Sequence, residues 1–155
     1  MLAEAGASIN SMPSSEIYSA MQTGVLDGAN TSSGSLVSYR IYEQSTCLTP
    51  PGDYALWFMY EPILMSERSF DQLTEAQQDA LMAAGQKAEE YFFEKAKELD
   101  NTLVETYKKA GVKVEQMSKA QYDQWIKVAK KSSYKKFSEN VEGGEELIQK
   151  ALSVD

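Results

Sequence analysis

A helix-rich α/β fold is predicted by three features of this chain. The first is a stretch of about 35 residues, Glu75 to Ala110, that contains no proline and repeats apolar residues every three or four positions. The second is a pair of capping boxes, Thr74-x-x-Gln77 and Ser118-x-x-Gln121, whose side chains can satisfy the free backbone N–H groups at a helix start. The third is a set of short strand-like stretches between the helical segments: Val25-Leu26, Gln44 to Thr49 and Val112-Lys113-Val114.

Composition narrows the class. With 155 residues the chain can bury one core, and its 43% hydrophobic and 25% charged content is that of an ordinary globular protein. A net charge of −8 argues against nucleic acid, which needs a basic face. No apolar run is long enough for a membrane-spanning helix, and the first residues lack the pattern of a signal peptide. Cys47 is the sole cysteine, so an internal disulfide is excluded and the redox compartment stays open.

In chain order, Met1 to Ala7 reads as the end of a helix stopped at Gly6, followed by an extended connection to Met12. Ser14 or Ser15 can cap the next helix, whose apolar face carries Ile17, Ala20 and Met21. Gly24 is placed to end it in the left-handed conformation, and Asp27-Gly28 signals a turn after Val25-Leu26. Ala29 to Ser35 is a run of small polar residues, either a solvated loop with a helix cap or a ligand-facing rim. Leu36 to Tyr42 suits a helix only moderately, and Gln44 to Thr49 reads as a strand ended by Pro50-Pro51-Gly52.

Tyr54 to Met65 is the most apolar run. Pro62 disfavours a helix there, so a long bent strand is expected, with Trp57, Met59 and Glu61 on one face and Phe58 and Tyr60 on the other. Trp57 is then either a core aromatic or a side chain lining a cleft. Ser66 can cap a short helix ending near Leu73. The long helix follows, with Leu81, Ala84, Ala88, Phe92, Ala96, Leu99, Leu103 and Tyr107 along one stripe and Gly111 past its end. A coiled coil is one explanation of such length. The last helices are expected at Lys119 to Phe137 and Glu145 to Leu152, separated by Gly143-Gly144. Lys127, Lys130, Lys131, Lys135 and Lys136 make one side of the former basic, as a solvated face or a docking surface for acidic groups.

Catalytic equipment is sparse. Without histidine the commonest general base and metal ligand is missing, and Cys47 has nothing to activate it. No P-loop or dinucleotide glycine pattern occurs. Glu89-Glu90, Asp100 and Glu145-Glu146 fall on helix faces where carboxylates are usually solvated. Glu61 alone is embedded in an apolar run, which suggests a buried, hydrogen-bonded residue at a hinge. No enzyme, cofactor or metal site is expected.

The order of residues is more specific than the composition. Gly6-Ala7-Ser8, then Met12-Pro13, then Ser15-Glu16-x-Tyr18-x-Ala20-x-Gln22-x-Gly24-Val25-Leu26-Asp27-Gly28 resembles the solute-binding proteins of tripartite ATP-independent periplasmic (TRAP) transporters. Met21 replaces the family's usual leucine. Ser66 to Gln78 resembles a second family segment, and with the long helix the resemblance covers essentially the whole chain.

That resemblance implies the C-terminal half of a two-lobed periplasmic-binding-protein-like fold, with short strands and one very long helix spanning the lobes. Residues 1–53 would belong to the second lobe and its ligand rim, 54–74 to a hinge-crossing strand, 75–111 to the interlobe helix and 112–155 to closing strand and helices. The implied ligand is a small organic acid, delivered to TRAP membrane permease subunits from the periplasm. The implied ligand-binding residues are Ser14, Asn30, Thr31 and Ser32, with Trp57 and Glu61 near the hinge. In the family an amide at about the position of Thr31 contacts the carboxylate, and an aromatic often occupies the place of Ser14. The family's carboxylate-binding arginine has no counterpart here, and Arg40, the first arginine, lies outside any matching motif. A chain holding half of such a fold is expected to be truncated and to form homo-oligomers through the surface that met the other half. The alternative is a stand-alone helical interaction protein.

Overall fold

The capping box at Thr74 starts helix α4, Glu75–Lys109, in the computed structural model of the chain, which describes residues 1–57 and 61–153. The Thr74 backbone N–H donates to Gln77 Oε1 at 2.9 Å. At the other end Gly111 adopts φ 80°, and the Val112 N–H folds back onto the Tyr107 carbonyl at 3.0 Å. That left-handed step satisfies a carbonyl the helix leaves open and turns the chain at once.

The core forms at this end of α4. Leu103, Tyr107 and Val112 are buried, and Leu36, Val37, Tyr42, Leu48 and Val114 pack around them. The Tyr42 and Tyr107 rings meet edge to face, with centroids 5.9 Å apart. The elements supplying these residues are α1 (Ser14–Gln22), α2 (Ser33–Ser38), a 3-10 turn (Ile41–Gln44), β1 (Cys47–Leu48) and β2 (Lys113–Val114). Strands β1 and β2 pair in parallel, Cys47 opposite Lys113 and Leu48 opposite Val114. A parallel pair needs a long crossover. Here α3 (Glu67–Phe70), capped by Ser66, and α4 lie within it. α2 packs on α4, and α1 packs on the 3-10 turn, where Ile17 and Ile41 are buried.

These elements form one of two units, Ser14–Pro50 with Trp57–Glu115. The other comprises Met1–Pro13, Pro51–Leu56 and Gln116–Asp155. It opens with a 3-10 turn, Ala3–Ala5, ended by Gly6 at φ 92°. Ser118 and Gln121 form the second capping box and start α5, Lys119–Ala129. Tyr54 and Tyr122 stack within this unit, 5.4 Å apart. α6 (Lys135–Asn140) and α7 (Gly144–Leu152) complete it, with Gly143 left-handed between them.

Several expected elements form differently. Val25 and Leu26 make no strand: both amides donate to the Ala20 carbonyl, at 2.8 and 3.1 Å, and so close α1 instead of joining a ladder. Gly24 does take the left-handed conformation, φ 74°. The strand expected over Gln44 to Thr49 shrinks to two residues, because Ile41–Gln44 is spent on the 3-10 turn. The bent strand expected over Tyr54 to Met65 is absent among the described residues. Tyr54 to Trp57 turn and bend, and 61–66 carry no regular structure, while Phe58, Met59 and Tyr60 lie outside the described residues. Pro62 has no N–H to give a ladder, and the described sheet is complete with β1 and β2. The helix expected from Lys119 to Phe137 widens into a π-helical segment at Lys130–Tyr134. There the Ser132 hydroxyl donates to the Val128 carbonyl at 2.7 Å, giving the backbone a local alternative to its usual bond.

Two outcomes follow from this packing. A Cβ at Gly144 would lie 2.7 Å from the Phe137 carbonyl oxygen and 3.1 Å from Ser138 Cα, backbone atoms that cannot swing aside. Gly144→Ala should therefore cost about 1–3 kcal/mol in a thermal or urea melt; an unchanged melt would show that α6 and α7 are not so closely joined. The Tyr107 hydroxyl is buried without a hydrogen-bond partner among the described residues. Burial pushes its pKa above the ordinary phenol value, with Ser45 acting in the opposite sense. A raised folded-state pKa gives stability that is present below about pH 10 and is lost as pH rises through the folded value. Tyr107→Phe should melt no lower than the wild type at pH 7 and should lose less stability between pH 9 and 11. A markedly lower melt at pH 7 would mean the hydroxyl has a partner.

Candidate functional site

The polar run after Asp27-Gly28 is held at both ends. Gly24 stops α1 and turns the chain, and Thr31 returns to the start of that helix. Ser14 Oγ and Thr31 Oγ1 lie 2.9 Å apart, in a part-buried bond spanning 17 residues. Ser32 is extended, φ −66° and ψ 153°, and caps α2 by accepting from the Ser35 N–H at 3.2 Å. Its hydroxyl donates to Ser35 Oγ at 3.0 Å. One residue on, Ser33 Oγ donates to Asp100 Oδ1 of α4 at 2.6 Å. The loop that carries the exposed Asn30 is thus tied to α1 through Thr31 and to α4 through Ser33.

This geometry has a chemical consequence. Two hydroxyls bonded to each other use one proton and leave the second free to donate. An amide at Asn30 offers two more donors. Neutral donors on a restrained loop suit an anionic acceptor such as a carboxylate, without placing a charge in the site.

Ser14, Thr31 and Ser32 therefore come together, with Asn30 adjacent in the chain. Trp57 and Glu61 lie on a different segment, and no hydrogen bond joins them to the loop among the described residues. Trp57 is 45% exposed, so it is not part of the core formed by the described residues of this chain. Glu61 is exposed, not buried as its apolar surroundings in sequence suggested. The described residues that follow Tyr60 are uncovered with it, Ile63 and Leu64 more than four-fifths exposed, whereas Tyr54, Ala55 and Leu56 before Trp57 are half-buried.

Two features escaped the sequence. Asp100 looks like a solvated helix carboxylate, yet it anchors the first turn of α2 across 67 residues. Tyr18, Glu43 and Arg40 form a second tie: the Tyr18 hydroxyl donates to Glu43 Oε2 at 3.0 Å, and the Arg40 guanidinium pairs with Glu43 Oε1. Bonding to Glu43 raises the Arg40 pKa further. Arg40 is left-handed, φ 55°, which few non-glycine residues adopt, so the turn between α2 and the 3-10 segment is sharper than its sequence advertises. Tyr18 belongs to the recognised motif, but nothing in the motif names its partner.

Comparison with known proteins places this loop in a family. The family model described as bacterial extracellular solute-binding protein, family 7, matches residues 1–140. The chain belongs to this family. A solute-binding protein of Albidiferax ferrireducens is 41% identical over 148 residues, which cover 96% of this chain and 44% of the relative. The crystal structure of a TRAP periplasmic solute-binding protein from Rhodoferax ferrireducens, with bound malonate, is similar with a TM-score of 0.87 at 41% identity. That match covers 96% of this chain and 47% of the solved one. The chain thus spans about half the length of the relatives it matches, and its helix-rich fold is that of part of a family 7 binding protein.

The tie to α4 is open to test. Asp100→Ala should lower stability by about 1.5–3 kcal/mol, the range for a hydrogen bond to a charged group. Amide exchange should rise selectively in Ser33–Ser38. Equal exchange in the variant and the wild type would show that Asp100 does not fix α2.

Proposed function

We propose that the chain is part of an extracytoplasmic receptor that captures a small organic acid and passes it to a TRAP-type membrane permease. The observation that carries this is the likeness, at 41% identity, to a TRAP binding protein crystallised with malonate, a dicarboxylate. The loop chemistry agrees with it. Thr31, held by Ser14, and the exposed Asn30 offer neutral donors to a carboxylate oxygen. Ser32 spends its hydroxyl on capping α2 and positions the loop without reaching a ligand.

The arrangement follows the two-lobed scheme that the family resemblance implies. The portion of fold beyond this chain supplies the opposite wall of a cleft and a cationic partner for the acid. Residues 1–53 provide the rim, 54–74 the hinge crossing, 75–111 the helix that spans the lobes and 112–155 the closing elements. Closure is hinge bending, in which the ligand shifts the balance toward the closed form. Trp57, with its ring exposed beside the crossing, packs against the ligand or the hinge. Glu61 belongs to the hinge, since a carboxylate at the ligand would repel it. The receptor acts in the periplasm, binds without covalent chemistry and needs no cofactor.

The test is a chimera in which this chain replaces the matched half of the malonate-bound relative. Thermal melts are run against a panel of mono- and dicarboxylates. A ligand at about 1,000 times its Kd should add roughly 4 kcal/mol. Asn30→Ala or Thr31→Val should cut affinity by more than the roughly fivefold loss of one ordinary hydrogen bond. Stabilisation by no acid in the panel would defeat the receptor proposal. Full affinity in both variants would move the site off this loop.

A further inference from the structure

The lysines of this acidic chain are concentrated in one place. Five of its 15 basic residues, Lys127, Lys130, Lys131, Lys135 and Lys136, fall between positions 127 and 136, against a net charge of −8. All five are exposed. In an α-helix, residues five apart stand about 140° apart around the axis. The segment Lys130–Tyr134 is π-helical, and its wider turn draws positions five apart toward one face. Lys131 and Lys136 accordingly line one groove of about 340 Å³, between this segment and the 3-10 turn Ala3–Ala5. Glu4, Ser132, Lys135 and Glu139 complete its polar lining. The groove lies within one unit, the one that does not carry the polar loop.

The lining sets the chemistry of an occupant. Lys135 Nζ is 3.8 Å from Glu139 Oε1, so these two charges offset each other. Lys131 and Lys136 make no ion pair among the described residues, and Glu4 is the only other charged side chain in the lining. One positive charge is left over, which suits a ligand with a single negative charge. Ser132 is 7% exposed and spends its proton on the Val128 carbonyl, so its oxygen is left as an acceptor. With Glu4 it calls for neutral donors, such as hydroxyls, elsewhere on the same ligand. Lysines bind phosphate as point charges, whereas a carboxylate is best matched by the planar fork of arginine, and no arginine lines the groove. The volume is that of a small organic ligand, at the lower end of the roughly 300–1,000 Å³ of such sites. We propose that this groove seats a phosphodiester that carries free hydroxyls, with Lys131 and Lys136 on the phosphate and Ser132 and Glu4 accepting from the hydroxyls. Two sources share that chemistry: the headgroup of phosphatidylglycerol at a membrane surface, and the free glycerophosphodiester. The exposed Lys127 and Lys130 beside the groove add to the attraction of an anionic surface. The site is separate from the organic-acid proposal and does not rest on it.

The experiment uses this chain without any organic acid. Soluble glycerophosphoglycerol is titrated in and followed by amide NMR shifts, and sedimentation is run with phosphatidylglycerol vesicles and with phosphatidylcholine vesicles. Shifts are expected at Glu4, Lys131, Ser132 and Lys136. Lys131→Glu and Lys136→Glu should each weaken binding at least tenfold, while Lys150→Glu, the same exposed charge change on α7, should leave it intact. Circular dichroism confirms that each variant keeps its helices. Binding to phosphatidylglycerol vesicles but not to phosphatidylcholine, lost in about 0.5 M salt, would support the seat with the lipid as its source. Binding of the soluble diester alone would support it with the free diester as its source. No binding of either would overturn the proposal. Binding indifferent to Lys131→Glu and Lys136→Glu would overturn it as well, since the attachment would then lie elsewhere on the chain.

Discussion

The burial of Leu103 and Tyr107 is the interaction on which the Ser14–Pro50 and Trp57–Glu115 unit depends. These two side chains, one helical turn apart, are the point where α2, β1, β2 and the 3-10 turn converge on α4. Fully burying side chains of this size contributes on the order of 1.5–3 kcal/mol each, more than any exposed ion pair along the same helix. The surface pairs Lys95–Glu98, Lys97–Glu94 and Lys109–Glu105 decorate α4 but do not decide where it packs. Direction follows from the core: Gly111 turns the chain at once, Val112 enters the same cluster, and β2 is delivered beside β1.

The candidate site inherits its rigidity from that core at short range. Asp100 lies one turn before Leu103 on the helix, so the part of α4 best held by packing also holds Ser33. Ser32 then caps α2, and Thr31 meets Ser14. A loop of small polar residues, which would otherwise be mobile, is given one shape by three hydroxyl contacts. Small side chains suit this role, because they leave room for a ligand and lose little entropy when fixed.

What is legible in the sequence is local. Both capping boxes are visible because the partners stand three residues apart, and Gly6, Gly24, Gly111 and Gly143 are visible because a left-handed backbone favours glycine. The stripe of α4 is visible as periodicity, but periodicity does not say which half of a stripe is covered. That is why Leu99 and Leu103 look alike in sequence and differ in burial. Strands are less legible: Val25-Leu26 has the composition of a strand, yet its amides are captured by Ala20 before any partner is reached. Glu61 looks buried in sequence yet is exposed in this chain, since an apolar run is buried only where something packs on it. Ser33–Asp100 and Tyr18–Glu43 join residues 67 and 25 apart, and no local pattern encodes such pairs. Family resemblance supplies what spacing does not, by marking the positions of Ser14 and Thr31, which the fold brings into contact.

One stripe of α4 is core at its C-terminal end and open along the rest, and the organisation of the Ser14–Pro50 and Trp57–Glu115 unit turns on that division. Residue-resolved amide hydrogen exchange on the isolated chain tests it most directly. The expected result is a gradient along a single helix, with strong protection from about Leu103 to Lys109 and progressively weaker protection toward Leu81, where packing no longer opposes local opening. Uniform protection from Leu81 to Lys109 would contradict it, because the exposed part of the stripe would then already be covered.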